Sequence, residues 1–138
     1  MSAYKVVECE VNTQEGIIAG LIDLGIPHDL IEIHKEAVPL NNWQGKKTGQ
    51  KGNIVVRRQN FKKYTASRYN ADLGFEKKEN GYQMHINQEE NRWWQQRDPR
   101  FKQVAASVQV IAKAKKKGYK VKKTEKNGNI KLQLVKNF

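Results

Sequence analysis

Between residues 46 and 69 the chain reads KKTGQKGNIVVRRQNFKKYTASRY. Eight cations, Lys46, Lys47, Lys51, Arg57, Arg58, Lys62, Lys63 and Arg68, alternate here with the rings of Phe61, Tyr64 and Tyr69. This is the composition that a surface for single-stranded nucleic acid needs. Cations neutralise phosphates and release counterions, and flat rings stack on unpaired bases. The plainer reading is a solvated basic edge that discourages strand-to-strand association, with Phe61 and one tyrosine turned into the core. Within a strand Arg57 and Arg58 face opposite sides, so one of the two is expected inward or paired with an acid.

A second cationic group follows late in the chain. Lys113, Lys115, Lys116, Lys117, Lys120, Lys122 and Lys123 lie within eleven residues. Capping of a helix C-terminus explains two or three of them, and seven exceed that need. Lys120 and Lys122 alternate with Val121, so they are expected to project together from the outer side of a strand. The third group is Arg92-Trp93-Trp94 with Arg97. Adjacent tryptophans on a strand cannot both face one core, so one, taken as Trp94, is expected at the surface beside Arg92, where an indole can stack a base or grip a protein. The plainer alternative buries one tryptophan and lays the other as a lid over a helix start.

Catalytic chemistry finds little support. His28, His34 and His85 are far apart in sequence and lack ligand spacing, and Cys9 is the one cysteine, so no metal site and no cofactor are expected. The acid pairs Glu89-Glu90 and Asp23 with Asp29 have the look of ordinary surface. There is no nucleophile elbow, phosphate-binding loop or dinucleotide fingerprint. A lone cysteine implies a reducing compartment. The N-terminus has neither the apolar stretch of a secretory signal nor the arginine-rich character of a transit segment. No run approaches the roughly 18 apolar residues of a membrane span. These features predict a cytoplasmic protein, or one in the equivalent plastid or prokaryotic compartment, a viral source also fitting.

The net charge of +12 is unevenly placed. Residues 1–40 carry a net −5, residues 41–70 a net +8, residues 71–98 a net −2 and residues 99–138 a net +11. Solubility alone would intersperse the signs. Segregation sets up a directed field that draws polyanions toward two stretches of chain.

The elements that must position these residues follow from periodicity and turn chemistry. With 138 residues and a hydrophobic fraction of 38%, the chain can bury one core without disulfides or metals, as a single domain over 1–138. Residues 4–11 alternate and predict a strand. Asn12 or Thr13 caps a helix whose apolar face is Ile17, Ile18, Leu21, Ile22 and Leu24, and Gly25 and Pro27 end it. Residues 29–38 are extended up to Pro39. The glycine-rich, lysine-rich stretch 40–52 predicts an exposed basic loop. A strand over 53–59 follows, and 60–70 is either an irregular connection or its continuation. Two hairpins are predicted, 72–78 with 82–87 across Asn80-Gly81, and 119–125 with 129–136 across Asn127-Gly128. Between them Phe101, Val104, Ala105, Val108, Ile111 and Ala112 mark an amphipathic helix, with Asp98 as cap, Pro99 in the first turn and Gly118 at the close. This pattern predicts an α+β domain, a mostly antiparallel sheet with two helices on one face, ferredoxin-like or related.

The segment LGFEKKENGYQMHIN (73–87), the pair Trp93-Trp94, the helix running to Gly118 and GYKVKKTEKNGNIKLQLV (118–135) together carry a resemblance. The chain resembles the chloroplast and cyanobacterial reading-frame proteins catalogued as domain of unknown function twelve fifty-seven. The resemblance implies a compact α+β fold and a prokaryotic or plastid setting. It implies no activity and no site residues.

The residues themselves lead to a non-enzymatic nucleic-acid-binding protein that prefers RNA or single strands. Its surface is expected to combine 46–69 with Arg92, Trp94, Lys113, Lys116, Lys117, Lys120 and Lys122. Two other classes stay open at this point. One is a protein-interaction or assembly factor whose basic face meets an acidic protein or a ribonucleoprotein. The other is a small nuclease or nuclease inhibitor. No membrane partner is expected, and oligomeric state is left unassigned.

Overall fold

The computed structural model describes residues 4–9, 11–65 and 67–136. The expected strand over 4–11 is β1, Tyr4–Cys9; Glu10 lies outside the described residues. Helix α1 covers Gln14–Asp23, and Thr13 caps it by accepting from the Gly16 amide at 3.1 Å. Gly25, at φ +101°, then reverses the chain in a backbone conformation that side chains resist.

Strands β2 (Ile31–Asn41), β3 (Lys47–Val56), β4 (Leu73–Lys78) and β5 (Gly81–Asn87) form a meander, and β1 pairs with β5. The order is β1-β5-β4-β3-β2 and every pairing is antiparallel. The α+β class is therefore as expected. The ferredoxin-like variant is not formed, because β1 and β2 lie at opposite edges and not one strand apart.

In β2 and β3 three boundaries differ from expectation, each for a physical reason. The exposed loop expected over 40–52 is the tip half of a long hairpin. Its turn is confined to residues 42–46, where the Asn42 carboxamide accepts from the amides of Gln44 and Lys46 and Gly45 adopts φ +78°. Pro39 does not end β2, because β2 is an edge strand and the proline sits between register shifts where a missing N–H costs nothing. The strand expected over 53–59 stops at Val56, and a four-residue helix, α2 (Arg58–Phe61), follows. Its trigger is tertiary: the Asp72 carboxylate takes the Arg58 amide at 2.7 Å.

Helix α3 spans Asn91–Lys116 and starts well before Asp98, with Pro99 inside it. Asp98 is not a cap. Its carboxylate accepts from the Trp94 indole at 2.9 Å and pairs with Lys102 at 3.1 Å. Proline removes one helical hydrogen bond, and the burial of Trp94 on the N-terminal side and Phe101 on the other offsets that loss.

Pleating places Ile54, Val56, Leu73, Phe75, Met84 and Ile86 on one sheet face, where they meet Ile17 and Leu21 of α1 and Trp94, Phe101 and Ala105 of α3. Phe75 stacks on Phe101 with centroids 5.8 Å apart. The two helices approach closely because Gly16 and Gly20 lie one turn apart: a Cβ on Gly20 would stand 2.5 Å from the Phe101 ring. On the other face β2 bends back at its register shifts, so that Leu40 lies against Gly52 and Gly74.

The last hairpin, β6 (Tyr119–Lys126) and β7 (Asn129–Lys136), is a separate two-stranded sheet packed along α3. Asn127 and Gly128 both take positive φ, as the sequence predicts for a two-residue turn. In the earlier hairpin the turn residues are Glu79 and Asn80, since Lys78 pairs with Gly81. Arg100 ties the tip of the late hairpin down. It grips the Asp23 carboxylate through two hydrogen bonds at 2.9 Å, contacts Glu125 at 2.6 Å and donates to the Gly128 carbonyl.

Candidate functional site

The connection after α2 runs across the first turns of α3, and between them lies a cleft of about 500 Å³. Thr65, Ser67, Arg68 and Tyr69 line it from the connection, and Glu89, Glu90, Arg92, Trp93 and Gln96 from the helix side. Its back is fixed by a buried carboxylate. Glu90, 1% exposed, accepts from the Ala71 amide at 3.0 Å and from the Asn70 carboxamide at 2.6 Å. Burial pushes the Glu90 carboxyl up to about 7, and hydrogen bonds from Ala71, Asn70, Asn87 and Thr65 restrain the rise. Asn70 also donates to the Thr65 hydroxyl, so one acid holds both ends of the connection.

The aromatic lining comes from two directions. Tyr69 is 39% exposed and meets Trp43 edge-on at 4.7 Å. Trp43 stands in the β2–β3 turn, and its carbonyl accepts from the Arg58 guanidinium at 3.3 Å. That chain of contacts brings the turn bearing Lys46 and Lys47 against the rim of the cleft. Trp93, half-buried, lies against Phe61 with centroids 5.3 Å apart and carries the Arg97 guanidinium 4.3 Å over its ring.

A second acid, next to Ala71 in the chain, ties the end of the connection to β2 and to the start of α2. Asp72, 1% exposed, accepts from the Asn41 amide at 2.7 Å, the Arg58 amide at 2.7 Å and Arg57 at 3.0 Å. The Tyr4 hydroxyl bonds to the carbonyls of Asp72 and Asn41. Burial above all, with the Asp72 and Glu90 charges, raises that phenol's pKa and keeps it neutral.

The residues singled out in the sequence divide accordingly. Arg68, Tyr69 and Arg92 come together in the cleft. Lys62 and Lys63 are exposed just after α2, and Tyr64 is half-buried against the core. Lys46, Lys47 and Lys51 are exposed on the β2–β3 hairpin. Lys113, Lys116 and Lys117 are exposed at the end of α3, and Lys120 and Lys122 share the outer face of β6, with Lys131 of β7 facing the same way by register.

Three assignments need correcting, the first being Arg58, whose amide donates to Asp72 at 2.7 Å and whose guanidinium donates to the Trp43 carbonyl at 3.3 Å. Arg57 belongs to the internal framework: it bridges Glu32 at 3.0 Å and Asp72 at 3.0 Å. Burial works against its charge, but these two hydrogen bonds outweigh it and hold its pKa above the ordinary value. Trp94 is 2% exposed, packed on Phe75 and Phe101, and is no stacking platform. The cleft-lining indole is Trp93, because both tryptophans ride on a helix and point about 100° apart.

Trp43, Glu90, Asp72, Thr65, Ser67 and Gln96 were not legible as site residues. Only Trp43, an aromatic in a lysine-rich segment, carried a usable signal. Of the histidines, His85 bonds Glu76 at 2.9 Å and His34 bonds Glu32 at 2.8 Å. Among the described residues no three His, Cys, Asp or Glu side chains gather as a metal-binding group, and no helix is long and apolar enough to cross a membrane.

The model of one protein family, described as a protein of unknown function (DUF1257), matches residues 21–135. The chain belongs to the DUF1257 family. Within this DUF1257 protein the match takes in the β2–β3 hairpin, the connection after α2 and helix α3, which together build the cleft. The expected resemblance is thus shown, and over more of the chain than the second half that carried it in the sequence. No curated protein and no solved structure matches the chain.

Proposed function

We propose that this DUF1257 protein is a non-enzymatic binder of nucleic acid, with RNA or single strands preferred. The observation that carries the reading is the convergence of separated cationic and aromatic segments at one place. The lysine-bearing β2–β3 turn meets the connection carrying Lys62, Lys63, Arg68 and Tyr69 through the Trp43–Tyr69 contact. Arg92 and Trp93 arrive from α3 to complete the cleft. Single-stranded ligands need this pairing of phosphate neutralisation with an exposed ring. Lys113, Lys116 and Lys117 stand at the opposite end of α3, about 30 Å along the helix from Arg92, so with Lys120 and Lys122 of β6 they serve only a strand long enough to span that distance.

A non-enzymatic reading is supported by the state of the buried carboxylates. Glu90 and Asp72 spend their oxygens on protein donors, which leaves them poorly placed to act on a substrate. The single cysteine goes with a reducing, cytoplasmic-type compartment.

The test is fluorescence anisotropy with labelled single-stranded RNA, single-stranded DNA and duplex DNA over a range of salt. Binding of single strands is expected to weaken steeply with salt, with a slope set by the number of phosphates engaged. Changing Lys46, Lys47, Lys62 and Lys63 together to Ala, which leaves Arg57 and Arg58 in their structural roles, is expected to reduce affinity and flatten the slope. No binding at low salt, or copurification with a stoichiometric acidic protein in place of nucleic acid, overturns the reading in favour of an assembly factor. Metal-dependent cleavage of the probes overturns the non-enzymatic part.

A further inference from the structure

The six arginines of the chain fall into two sets. Arg57 is held by Glu32 and Asp72, Arg58 by the Trp43 carbonyl, Arg97 by the Trp93 carbonyl and ring, and Arg100 by Asp23 and Glu125. Arg68 and Arg92 have no partner among the described residues, both are exposed, and both line the cleft. A guanidinium engaged in a protein ion pair offers little to a ligand. One left open keeps its planar fork for a phosphate, which it meets in two parallel hydrogen bonds.

Ring availability follows the same division. Trp93 has Arg97 over its ring and Phe61 against it, so it serves as a wall. Tyr69 is supported edge-on by Trp43 and stays exposed, so it offers a stacking surface. The volume, about 500 Å³, lies in the range of small-ligand clefts. Glu89, exposed on the same lining, repels phosphate from its side and can accept from a base amino group. Glu90 fixes Thr65, Asn70 and Ala71, so the recess is built in advance of any ligand.

From this arrangement we infer that the cleft seats one unpaired nucleotide, its base on Tyr69 against the Trp93 wall and its phosphate between Arg68 and Arg92. The inference rests on the nucleic-acid reading above and sharpens it: most of the positive surface tracks a backbone, whereas this recess takes a single unit out of the strand. The same chemistry is offered by a free nucleoside monophosphate and by a nucleotide within an oligomer, so the two must be told apart.

Arginine Nε–H resonances of Arg68 and Arg92 are followed by NMR while the full chain is titrated with nucleoside monophosphates, nucleosides, inorganic phosphate and a single-stranded RNA trimer. Nucleoside monophosphate or trimer is expected to shift both resonances saturably, with nucleoside and phosphate each at least about tenfold weaker, the loss of roughly one charge-assisted bond or one stack. Tighter binding of the trimer assigns the cleft to a strand; equal binding assigns it to a free nucleotide. Tyr69→Ala is expected to weaken binding about tenfold while Tyr69→Phe retains it, which separates stacking from a folding defect. Phosphate binding as well as the nucleotide, or unmoved resonances, overturns the inference. If monophosphate does not bind the wild-type chain and Arg68→Ala with Arg92→Ala leaves salt-dependent binding of long single strands intact, the cleft inference fails while the nucleic-acid reading stands. If neither ligand binds, both fail.

Discussion

Replacing Glu90 with Gln should change how stability depends on pH, by an amount the structure sets. The carboxyl is 1% exposed, and burial raises it from its ordinary value of 4.5 to about 7. A group whose pKa is raised on folding holds protons more tightly in the native state. Its contribution is fully present below pH 4.5 and is lost as pH rises through about 7. At roughly 1.4 kcal/mol per tenfold change in proton affinity, the gap corresponds to about 3 kcal/mol. The other shifted carboxyls act in the opposite sense. The Arg100 hydrogen bond lowers Asp23, while for Glu32 and Glu76 the bonds from Arg57 and His85 outweigh burial, so each stabilises above its ordinary pKa. Wild type alone therefore shows a sum.

Subtracting the Glu90→Gln curve isolates the one group, because Gln keeps the shape and does not titrate. The mispairing of its NH₂ with a donor adds only a constant offset. The assay is urea unfolding at intervals from pH 4.5 to 8, reading the midpoint and slope of each transition. The wild-type minus variant difference is expected to fall by about 3 kcal/mol across that range. A difference flat to within about 1 kcal/mol, or rising with pH, refutes the assignment of Glu90 as a buried, proton-binding clamp.

Three further outcomes bear on the framework around the cleft. Asp72→Ala strands the amides of Asn41 and Arg58 and removes a partner of Arg57; two part-buried donors left without an acceptor predict a loss of about 2–4 kcal/mol in urea unfolding. Gly20→Ala drives a Cβ to 2.5 Å from the Phe101 ring. Overpacking of roughly 1–3 kcal/mol exceeds the gain of about 1 kcal/mol in helix propensity, so the thermal midpoint is expected to fall. Arg100→Ala releases the late hairpin from Asp23, α3 and its own Glu125. Hydrogen exchange is expected to accelerate over 119–136 and to stay unchanged in β4 and β5.

Periodicity and turn chemistry were enough for much of the architecture. Helix α1, with Thr13 as its cap, and the Asn127-Gly128 turn are local events, each driven by residues adjacent in sequence. The apolar face of α3 around Phe101 and Ala105 was legible for the same reason, and the alternation of Lys120 and Lys122 correctly placed them on one face of β6. The clustering of charge needed only counting.

What local rules missed were outcomes decided by partners distant in sequence. Asp72 ends β3 by capturing the Arg58 amide, and no neighbour of Arg58 in the sequence signals that competition. Pro99 has the form of a helix start, yet core burial of Trp94 and Phe101 carries the helix through it. The same extension of α3 decides which tryptophan faces the core, because a helix turns adjacent side chains apart by about 100° whereas a strand alternates them. Glu89-Glu90 reads as ordinary surface, and only packing against residues 65–71 separates an exposed acid from a buried clamp. Composition alone established that this chain carries segregated positive charge and rings. Which two arginines remain open, and that they share a recess with Tyr69, depended on tertiary contacts that occupied the other four.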